Sequence, residues 1–375
     1  MATVKSYSTK AGTRYKVRYM KPDGTQGAKS GFHNVEAARD WASRVEVRKT
    51  DGEYVDPRHG RLTVDSLAPA WLAAKRVKLK PSAYAPLESA WRTHVEPEWG
   101  RWQLGKIEIS HVEEWIAELL TEIRDPIHPE KVIRKAASAT TVIRAHSVLA
   151  GILDRAVRDR KLASNKAREI DNLPRKTAKR KLYLTHQQVA VMAEAAGQWS
   201  TLVLLLAYCG LRWGEAVGLR VCDLDMLRRR VNVTRNAVQV GARIEIGTPK
   251  SDKPRSIAIP SFLLERLSIQ CKGKAREDLV FPGPNGDWLR RPNSERGWFK
   301  AAAKKAGEPN LTPHDLRHTA ASLAVSAGAN VKAVQRMLGH ESAALTLDVY
   351  ADLFDDDLDS VADALDRAHR RASGD

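Results

Sequence analysis

The sequence predicts an α+β protein of several domains, and three observations carry that prediction. A strand-like segment comes first, a long stretch of helical periodicity follows, and the C-terminal half mixes apolar helices with short β-branched runs. Segments rich in breakers and basic residues separate these regions. We therefore expect a small N-terminal β-sheet with a helix at 1–60, an all-α domain at 61–172, and a mixed, mainly α domain with a small antiparallel sheet at 173–375, whose tail is 353–375.

The first 60 residues alternate in the manner of strands, most clearly from Arg14 to Tyr19. Pro22-Asp23-Gly24 predicts a turn, and Asn34 predicts the N-cap of a helix. A basic sheet face could lie on DNA, although these residues alone fit a solvated face equally well. The candidate DNA contacts are Arg14, Lys16 and Arg18.

Residues 61–172 repeat apolar side chains at helical spacing, which predicts helices at about 63–75, 82–96, 110–123 and 138–159. Positive charges along these helices suit a domain that grips a duplex backbone, and ordinary surface charge is the competing interpretation. The candidate DNA contacts here are Lys78, Lys80, Lys135 and Arg144.

A linker from 172 to 184 carries five basic residues and no acidic one. Such a strap can neutralise phosphates while it joins two domains around a duplex. Its candidate DNA contacts are Arg175, Lys176, Lys179, Arg180 and Lys181. Thr185 and Gln188 then match a capping box, so we expect the next domain to begin with a helix.

The formal net charge of +17 favours a polyanionic partner, with nucleic acid first; a merely soluble basic protein is the other interpretation. The three cysteines have no metal-ligand spacing, and their odd number argues against a disulfide framework. The N-terminus lacks the apolar region of a signal peptide, and the longest apolar run, 202–208, is too short to span a bilayer. We expect a cytoplasmic protein without a membrane role.

Six residues of the C-terminal half suggest a phosphoryl-transfer site built without a metal or cofactor. Two arginines can hold the non-bridging oxygens of a phosphodiester, and a lysine and histidines can move protons. A tyrosine hydroxyl can attack phosphorus and keep the bond energy in a covalent link. These residues are Arg212, Lys250, His314, Arg317, His340 and Tyr350.

Thr312 and Asp315 predict the start of a helix, which places His314 in its first turn and Arg317 on the same face. Both side chains can then reach one phosphate. A metal pair from His314 and His318 is the weaker alternative, because the acid of an H-E-x-x-H zinc helix is missing.

Asn330 predicts an N-cap and Gly339 a left-handed helix end, so His340 follows a helix directly. Taken singly, His340 and Tyr350 would be read as structural residues. The tail after Tyr350 is acidic, and its apolar stripe predicts a helix that seeks a protein groove. That stripe consists of Leu353, Phe354, Leu358, Val361 and Leu365.

The boxes that carry these residues resemble those of the tyrosine recombinases, specifically phage-type integrases. Gly-Leu-Arg-Trp-Gly-Glu around Arg212 is similar to the first arginine box, and Thr-Pro-Lys at Lys250 to the β-hairpin lysine. His-Asp-Leu-Arg-His-Thr from His314 resembles the H-x-x-R box, Leu-Gly-His at His340 the L-G-H box, and Tyr350 the nucleophile. The chain departs from the family's pattern at Trp213 and Asn165-Lys166, where a smaller aliphatic residue and Asn-Pro are common.

The resemblance implies that Tyr350 attacks the scissile phosphate to form a 3′-phosphotyrosyl bond and a free 5′-hydroxyl, without ATP. It implies that Arg212, Arg317 and His340 stabilise the phosphorane, that Lys250 protonates the leaving oxygen, and that His314 assists proton transfer. Glu215 would orient Arg212 or serve only the helix surface.

The resemblance further implies an arm-type DNA-binding domain at 1–60, a core-binding domain at 61–172 and a catalytic domain at 173–375. The implied protein integrates and excises a phage or mobile element as a homotetramer on double-stranded DNA attachment sites. A DNA-bending or directionality protein would assist it, in the cytoplasm of a bacterial host, at the nucleoid.

Three alternatives remain: a chromosome-dimer or plasmid resolvase of the same family, a non-catalytic DNA-binding regulator with this fold, and a type IB topoisomerase. A regulator is disfavoured because none of the six catalytic positions is missing. The N-terminal domain and the acidic tail favour an oligomeric recombinase over a topoisomerase.

Overall fold

The computed structural model describes residues 2–22, 24–50, 54–176, 181–248, 254–293, 295–350 and 357–373, the last of these with side chains only from 365 onward. The chain divides into two compact units, Met1–Ala178 and Lys179–Asp375. Within the described ranges, the helices are too short or too polar for any of them to cross a bilayer.

The first unit begins with an antiparallel sheet in the order β1-β2-β3, formed by Thr3–Thr9, Gly12–Met20 and Gln26–Phe32. Helix α1, Val35–Thr50, covers one face of this sheet and buries Val17 of β2. The Asn34 cap that the sequence predicted is confirmed, because its Oδ1 accepts a hydrogen bond from the backbone N–H of Ala37 at 2.7 Å.

The described residues of the same unit continue with the helices α2 Val64–Lys78, α3 Pro81–Ala90, α4 Glu96–Trp99, α5 Ile109–Leu120 and α6 Ala139–Arg158. Helix α6 lies at the centre of their core, where Val142, Leu149 and Leu153 are fully buried. The predicted cores of all four helices are therefore present.

Two details of this region differ from the sequence prediction. The helix expected at 82–96 is present but contains a π-helical turn at Trp91–Val95, in which the N–H of Glu96 bonds to the carbonyl of Trp91. The helix expected at 110–123 ends at Leu120 because Thr121 is extended, and a short hairpin follows, β4 Ile123–Arg124 with β5 Val132–Arg134. This otherwise helical part is thus not strictly all-α.

The second unit is mainly helical. Its helices are α7 His186–Ala195, α8 Ser200–Cys209, α9 Trp213–Val217, α10 Leu264–Cys271, α11 Trp298–Lys305, α12 Pro313–Ser326, α13 Val331–Leu338, α14 Ala343–Tyr350 and α15 Asp357–Ser373. Its strands are β6 Leu224–Asp225, β7 Arg230–Val233, β8 Asn236–Val240, β9 Arg243–Gly247 and β10 Arg255–Ala258.

Helix α8 is apolar around most of its circumference and lies buried against α7 and α12. The antiparallel sheet β10-β7-β6 contains both strands that the sequence predicted, with Ile257 opposite Val231. The capping box at Thr185 is confirmed, since Thr185 and Gln188 exchange hydrogen bonds of 2.9 and 3.2 Å. The hairpin of β8 and β9 was not predicted.

Candidate active site

Arg212 lies at the junction of α8 and α9, where the chain turns sharply. Gly210 ends α8 in the left-handed conformation, with φ of 65°, and Arg212 is the N-cap residue of α9. Glu215, three residues later, accepts hydrogen bonds from the backbone N–H of Arg212 at 2.8 Å and from its Nη1 at 2.9 Å. The predicted orienting partner of Arg212 is therefore in contact with it.

The Glu215 carboxylate is fully buried and has a second arginine, Arg255 of β10, which donates to both of its oxygens at 2.9 and 2.6 Å. Burial alone would raise the pKa of this carboxyl, but the hydrogen bonds and charge of Arg255, with the charge of Arg212, lower the pKa to about 2. Glu215 is thus ionised at neutral pH.

Arg317 lies on α12 with 2% of its surface exposed. Its guanidinium donates to the backbone carbonyls of Gly210 at 2.6 Å and Leu338 at 2.5 Å, which fixes the ends of α8 and α13 to α12. Burial and the nearby Arg212 charge lower the pKa of Arg317 to about 9, so it remains protonated at neutral pH. A second cation that is buried and firmly held thus lies near Arg212.

Tyr350 is the last residue of α14 and is 1% exposed. Its hydroxyl lies 2.8 Å from Nδ1 of His318, and the ring of His314 is 4.8 Å from that of His318. Burial raises the pKa of Tyr350 to about 12, while the charges of Arg317 and Arg212 partly oppose that rise. Burial also lowers the pKa of His318, so its ring is neutral at neutral pH, and in the tautomer protonated at Nε2 its Nδ1 accepts a hydrogen bond from the Tyr350 hydroxyl.

The two other predicted histidines are also neutral at physiological pH. His314 is exposed to solvent, but the partial desolvation of its ring, with the charges of His318 and Arg317, lowers its pKa to about 4. Partial burial and the Arg317 charge lower the pKa of His340 to about 4. Both rings can therefore donate a hydrogen bond to an anion without carrying a charge of their own.

His340 is held from three sides. Its Nδ1 lies 3.0 Å from the hydroxyl of buried Thr346, and its ring is parallel to that of Tyr350 within 7°, at 6.3 Å. Gln335 accepts from the backbone N–H of His340 and donates to its carbonyl, both at 3.1 Å. The N-cap of Asn330 and the left-handed Gly339 that precede it are confirmed.

The structure brings five predicted residues of the second unit into one region: Arg212, His314, Arg317, His340 and Tyr350. A cavity of about 290 Å³ opens beside Arg212 and His314. Lys250, the sixth, lies outside the described residues, as do Lys179, Arg180, Leu353 and Phe354. In the tail, α15 has the predicted helical backbone, and Leu365 is exposed.

The predicted DNA contacts are distributed over both units. Arg14, Lys16 and Arg18 alternate on β2 and share the face opposite Val17, away from α1. Lys181 points inward within the second unit, where its ammonium donates to the carbonyl of Val349 and lies 5.9 Å from the centre of the Tyr350 ring. The remaining candidates in the first unit lie on its surface: Lys78, Lys80, Lys135, Arg175 and Lys176 are exposed, and Arg144 is partly exposed.

Sequence reasoning missed three contacts: Arg255 with Glu215, His318 with Tyr350, and Lys181 with Val349. For Arg255 a signal existed, because it shares a strand face with the buried Ile257, and an arginine on a core-facing position needs a partner. Over the described ranges, no cluster of three histidine, cysteine or acidic side chains could hold a metal ion.

Residues 182–356 match the model of the phage integrase family. The putative prophage phiRv2 integrase of Mycobacterium tuberculosis is 33% identical over 239 residues, which cover 60% of this chain and 63% of that relative. The integrase of Mycobacterium phage L5 is 24% identical over 351 residues, covering 83% of this chain and 93% of the phage protein.

Two solved structures share the fold. The Tn1549 transposon integrase in complex with transposon right end DNA has a TM-score of 0.61 at 21% identity, over 77% of this chain and 95% of that one. A lambda integrase tetramer bound to a Holliday junction has a TM-score of 0.57 at 16% identity, over 90% of this chain and 96% of that one. The fold and these matches define a tyrosine recombinase domain. Residues 182–356, just under half of the chain, therefore carry a phage integrase family domain.

Proposed function

We propose that this chain is a site-specific DNA recombinase that cuts and rejoins duplex DNA through a phosphotyrosyl intermediate at Tyr350. The observation that carries the proposal is the 2.8 Å contact between the Tyr350 hydroxyl and the neutral His318. The positive charges of Arg317 and Arg212 also lie near enough to this hydroxyl to favour its ionised form. A tyrosine next to a proton acceptor and two cations is equipped to attack a phosphodiester.

The attack begins at the Tyr350 hydroxyl, which does not ionise by itself at neutral pH because its pKa is about 12. His318 Nδ1 takes the proton as the phenolic oxygen bonds to phosphorus. The bond from phosphorus to the 5′-oxygen then breaks, and the resemblance assigns the proton for that oxygen to Lys250. Because Tyr350 is almost fully buried, the binding of DNA must expose its hydroxyl before the scissile phosphate can reach it.

Arg212 and Arg317 supply the positive charge that the phosphorane requires. Both are held in place before substrate arrives, Arg212 by Glu215 and Arg317 by two backbone carbonyls, so little reorganisation is needed in the transition state. Neutral His314 and His340 add hydrogen bonds to the phosphate oxygens. The geometry and the resemblance together support these proposed roles.

We further propose that the substrates are the attachment sites of a phage or mobile element and of its bacterial host, joined and separated by a tetramer with the help of a DNA-bending or directionality protein. Support comes from the named relatives, a prophage and a phage integrase, and from the lambda tetramer on a Holliday junction. The basic residues of β2, the helical region and the linker would contact the duplex backbone.

For the tail we propose that residues 353–366 pack on a neighbouring subunit of the assembled complex. The support is the amphipathic helix α15 with Leu365 exposed. Deletion of the residues after 352 should spare binding to a single duplex, measured by gel shift, and should alter cleavage or assembly on paired sites. Unchanged recombination by the truncated chain would contradict the proposal.

The test of the activity is a covalent trapping assay with duplex DNA that spans the junctions of the element encoding this chain. The wild type should give a detergent-stable, protease-sensitive adduct at the 3′ side of a nick, and Tyr350→Phe should give none. Tyr208→Phe is the matched control, because that hydroxyl also lies 2.8 Å from a histidine Nδ1, that of His186, and should leave the adduct unchanged. If the wild type binds this DNA but forms no adduct, the proposal is wrong and a DNA-binding regulatory protein is favoured instead.

A further inference from the structure

Arg255 is the one partner that Glu215 has besides Arg212 among the described residues. It is the first residue of β10, and its side chain is 10% exposed. Oε1 of Glu215 accepts from Arg255 Nη1 at 2.9 Å and from Arg212 Nη1 at 2.9 Å. Oε2 accepts from Arg255 Nη2 at 2.6 Å and from the Arg212 backbone N–H at 2.8 Å. Each carboxylate oxygen is therefore shared between the two arginines.

The same side chain reaches a second part of the site. Arg255 Nε lies 3.4 Å from the carbonyl of Met337 in the last turn of α13. A methyl group added to Gly339 would lie 2.8 Å from Arg255 Cδ, so the chain leading to His340 rests directly on this arginine. Arg255 thus touches both the partner of Arg212 and the segment that presents His340.

The charges of this trio show why a second arginine matters. Glu215 is fully buried, and alone with Arg212 it would form a neutral pair whose guanidinium is turned towards the carboxylate. With Arg255 the trio carries one net positive charge, and the carboxylate is held from both sides. Glu215 can then fix Arg212 without cancelling the charge that a phosphate needs.

We propose that Arg255 is a positioning residue of the DNA cleavage site, which fixes Glu215 so that the Arg212 guanidinium stays aimed at the scissile phosphate and retains its charge for that phosphate. This inference rests on the proposed function and adds a residue to it. The proposed role of Arg255 also differs from that of Lys250, which precedes it by five residues. Arg255 helps to stabilise the negative charge of the phosphate, whereas Lys250 would protonate the leaving oxygen.

The proposal is tested by the rate of adduct formation by Arg255→Lys on three versions of one crossover duplex. The first has an ordinary scissile phosphodiester, the second a methylphosphonate without the non-bridging charge, and the third a 5′-bridging phosphorothiolate whose sulfur leaves without a proton. Lysine keeps the charge but cannot donate to both carboxylate oxygens. Arg230→Ala removes an exposed arginine from the neighbouring strand β7 and is the matched control.

We expect Arg255→Lys to lose roughly 100-fold in rate on the phosphodiester and on the phosphorothiolate, the size typical of losing one transition-state contact, and to lose less than about 3-fold on the methylphosphonate. Arg230→Ala should retain the wild-type rate at saturating DNA on all three. Rescue by the phosphorothiolate alone would overturn the proposal, since Arg255 would then act through the lysine loop. If Arg255→Lys loses the same factor in rate on all three duplexes, or if its melting temperature falls sharply, the proposal is wrong and Arg255 has a purely structural role.

A crystal structure tests the positioning role of Arg255 independently of the proposed cleavage activity. In a crystal structure of the DNA-free Arg255→Lys chain, the Arg212 guanidinium should be displaced from its place beside Glu215. An unmoved Arg212 would overturn the positioning role even if the wild type cleaves DNA. A displaced Arg212 in a chain whose wild type forms no adduct would instead contradict the proposed function alone.

Discussion

Replacing Glu215 by glutamine removes one negative charge from the centre of the site and leaves its shape nearly unchanged. The carboxylate accepts four hydrogen bonds from Arg212 and Arg255, and all are charge-assisted on the acceptor side. Glutamine offers one acceptor oxygen and turns an N–H₂ group towards a guanidinium. We expect Glu215→Gln to destabilise the chain and to slow adduct formation.

The magnitude follows from the pKa of the buried carboxyl. A group whose pKa falls from 4.5 to about 2 on folding stabilises the folded state by about 3 kcal/mol at neutral pH, since each tenfold change in acid constant is worth about 1.4 kcal/mol. Because the folded-state pKa of Glu215 is depressed, this stability is fully present above pH 4.5 and is lost as the pH falls towards 2. Less than half of it should remain at pH 3.

The assay is urea denaturation of the full chain, followed by tryptophan fluorescence at pH 7 and at pH 3. Wild type and Glu215→Gln should differ by about 3 kcal/mol in unfolding free energy at pH 7, and by less than half of that at pH 3. Glu265→Gln, which changes an exposed glutamate of α10, should match the wild type. A difference below about 1 kcal/mol at pH 7, or one that does not shrink in acid, would refute the assignment of a buried, ionised carboxylate.

Two further predictions concern the pH dependence and the packing of the site. The pKa of His340 falls from 6.5 to about 4 on folding, so the unfolded chain takes up the proton first and stability declines as the pH drops from 6.5 towards 4. Between pH 7 and pH 5, the melting temperature of His340→Gln should therefore fall by less than that of the wild type. An equal fall in both chains would contradict this prediction. Gly210→Ala should cost roughly 1 to 3 kcal/mol more than Gly197→Ala, because both have positive φ but only at Gly210 does an added methyl meet a side chain, Leu338 Cδ2 at 2.8 Å. Thermal unfolding of the two variants measures that difference, and equal costs would show that the clash relaxes.

Much of the local structure could be predicted from the sequence because its causes lie within a few residues. Each cap at Asn34, Thr185 and Asn330 depends on a side chain that bonds to a backbone N–H three residues on, and the helix end at Gly339 depends on the freedom of glycine to take a positive φ; all four are present. The details that the sequence did not predict are those in which neighbouring elements outweighed local preference. The π-helical turn at Trp91–Val95 is an example, because Trp91 and Val95 are both buried in the helical core.

The sequence by itself determined the family resemblance and the short boxes around Arg212, His314, Arg317, His340 and Tyr350, since each box is a local string of residues. Only the tertiary structure decided which atoms meet. Arg255 reaches Glu215 across 40 residues, and His318 reaches the Tyr350 hydroxyl across 32. These contacts depend on how β10, α9, α12 and α14 pack together, and spacing along the chain carries no information about the distance between side chains on separate elements.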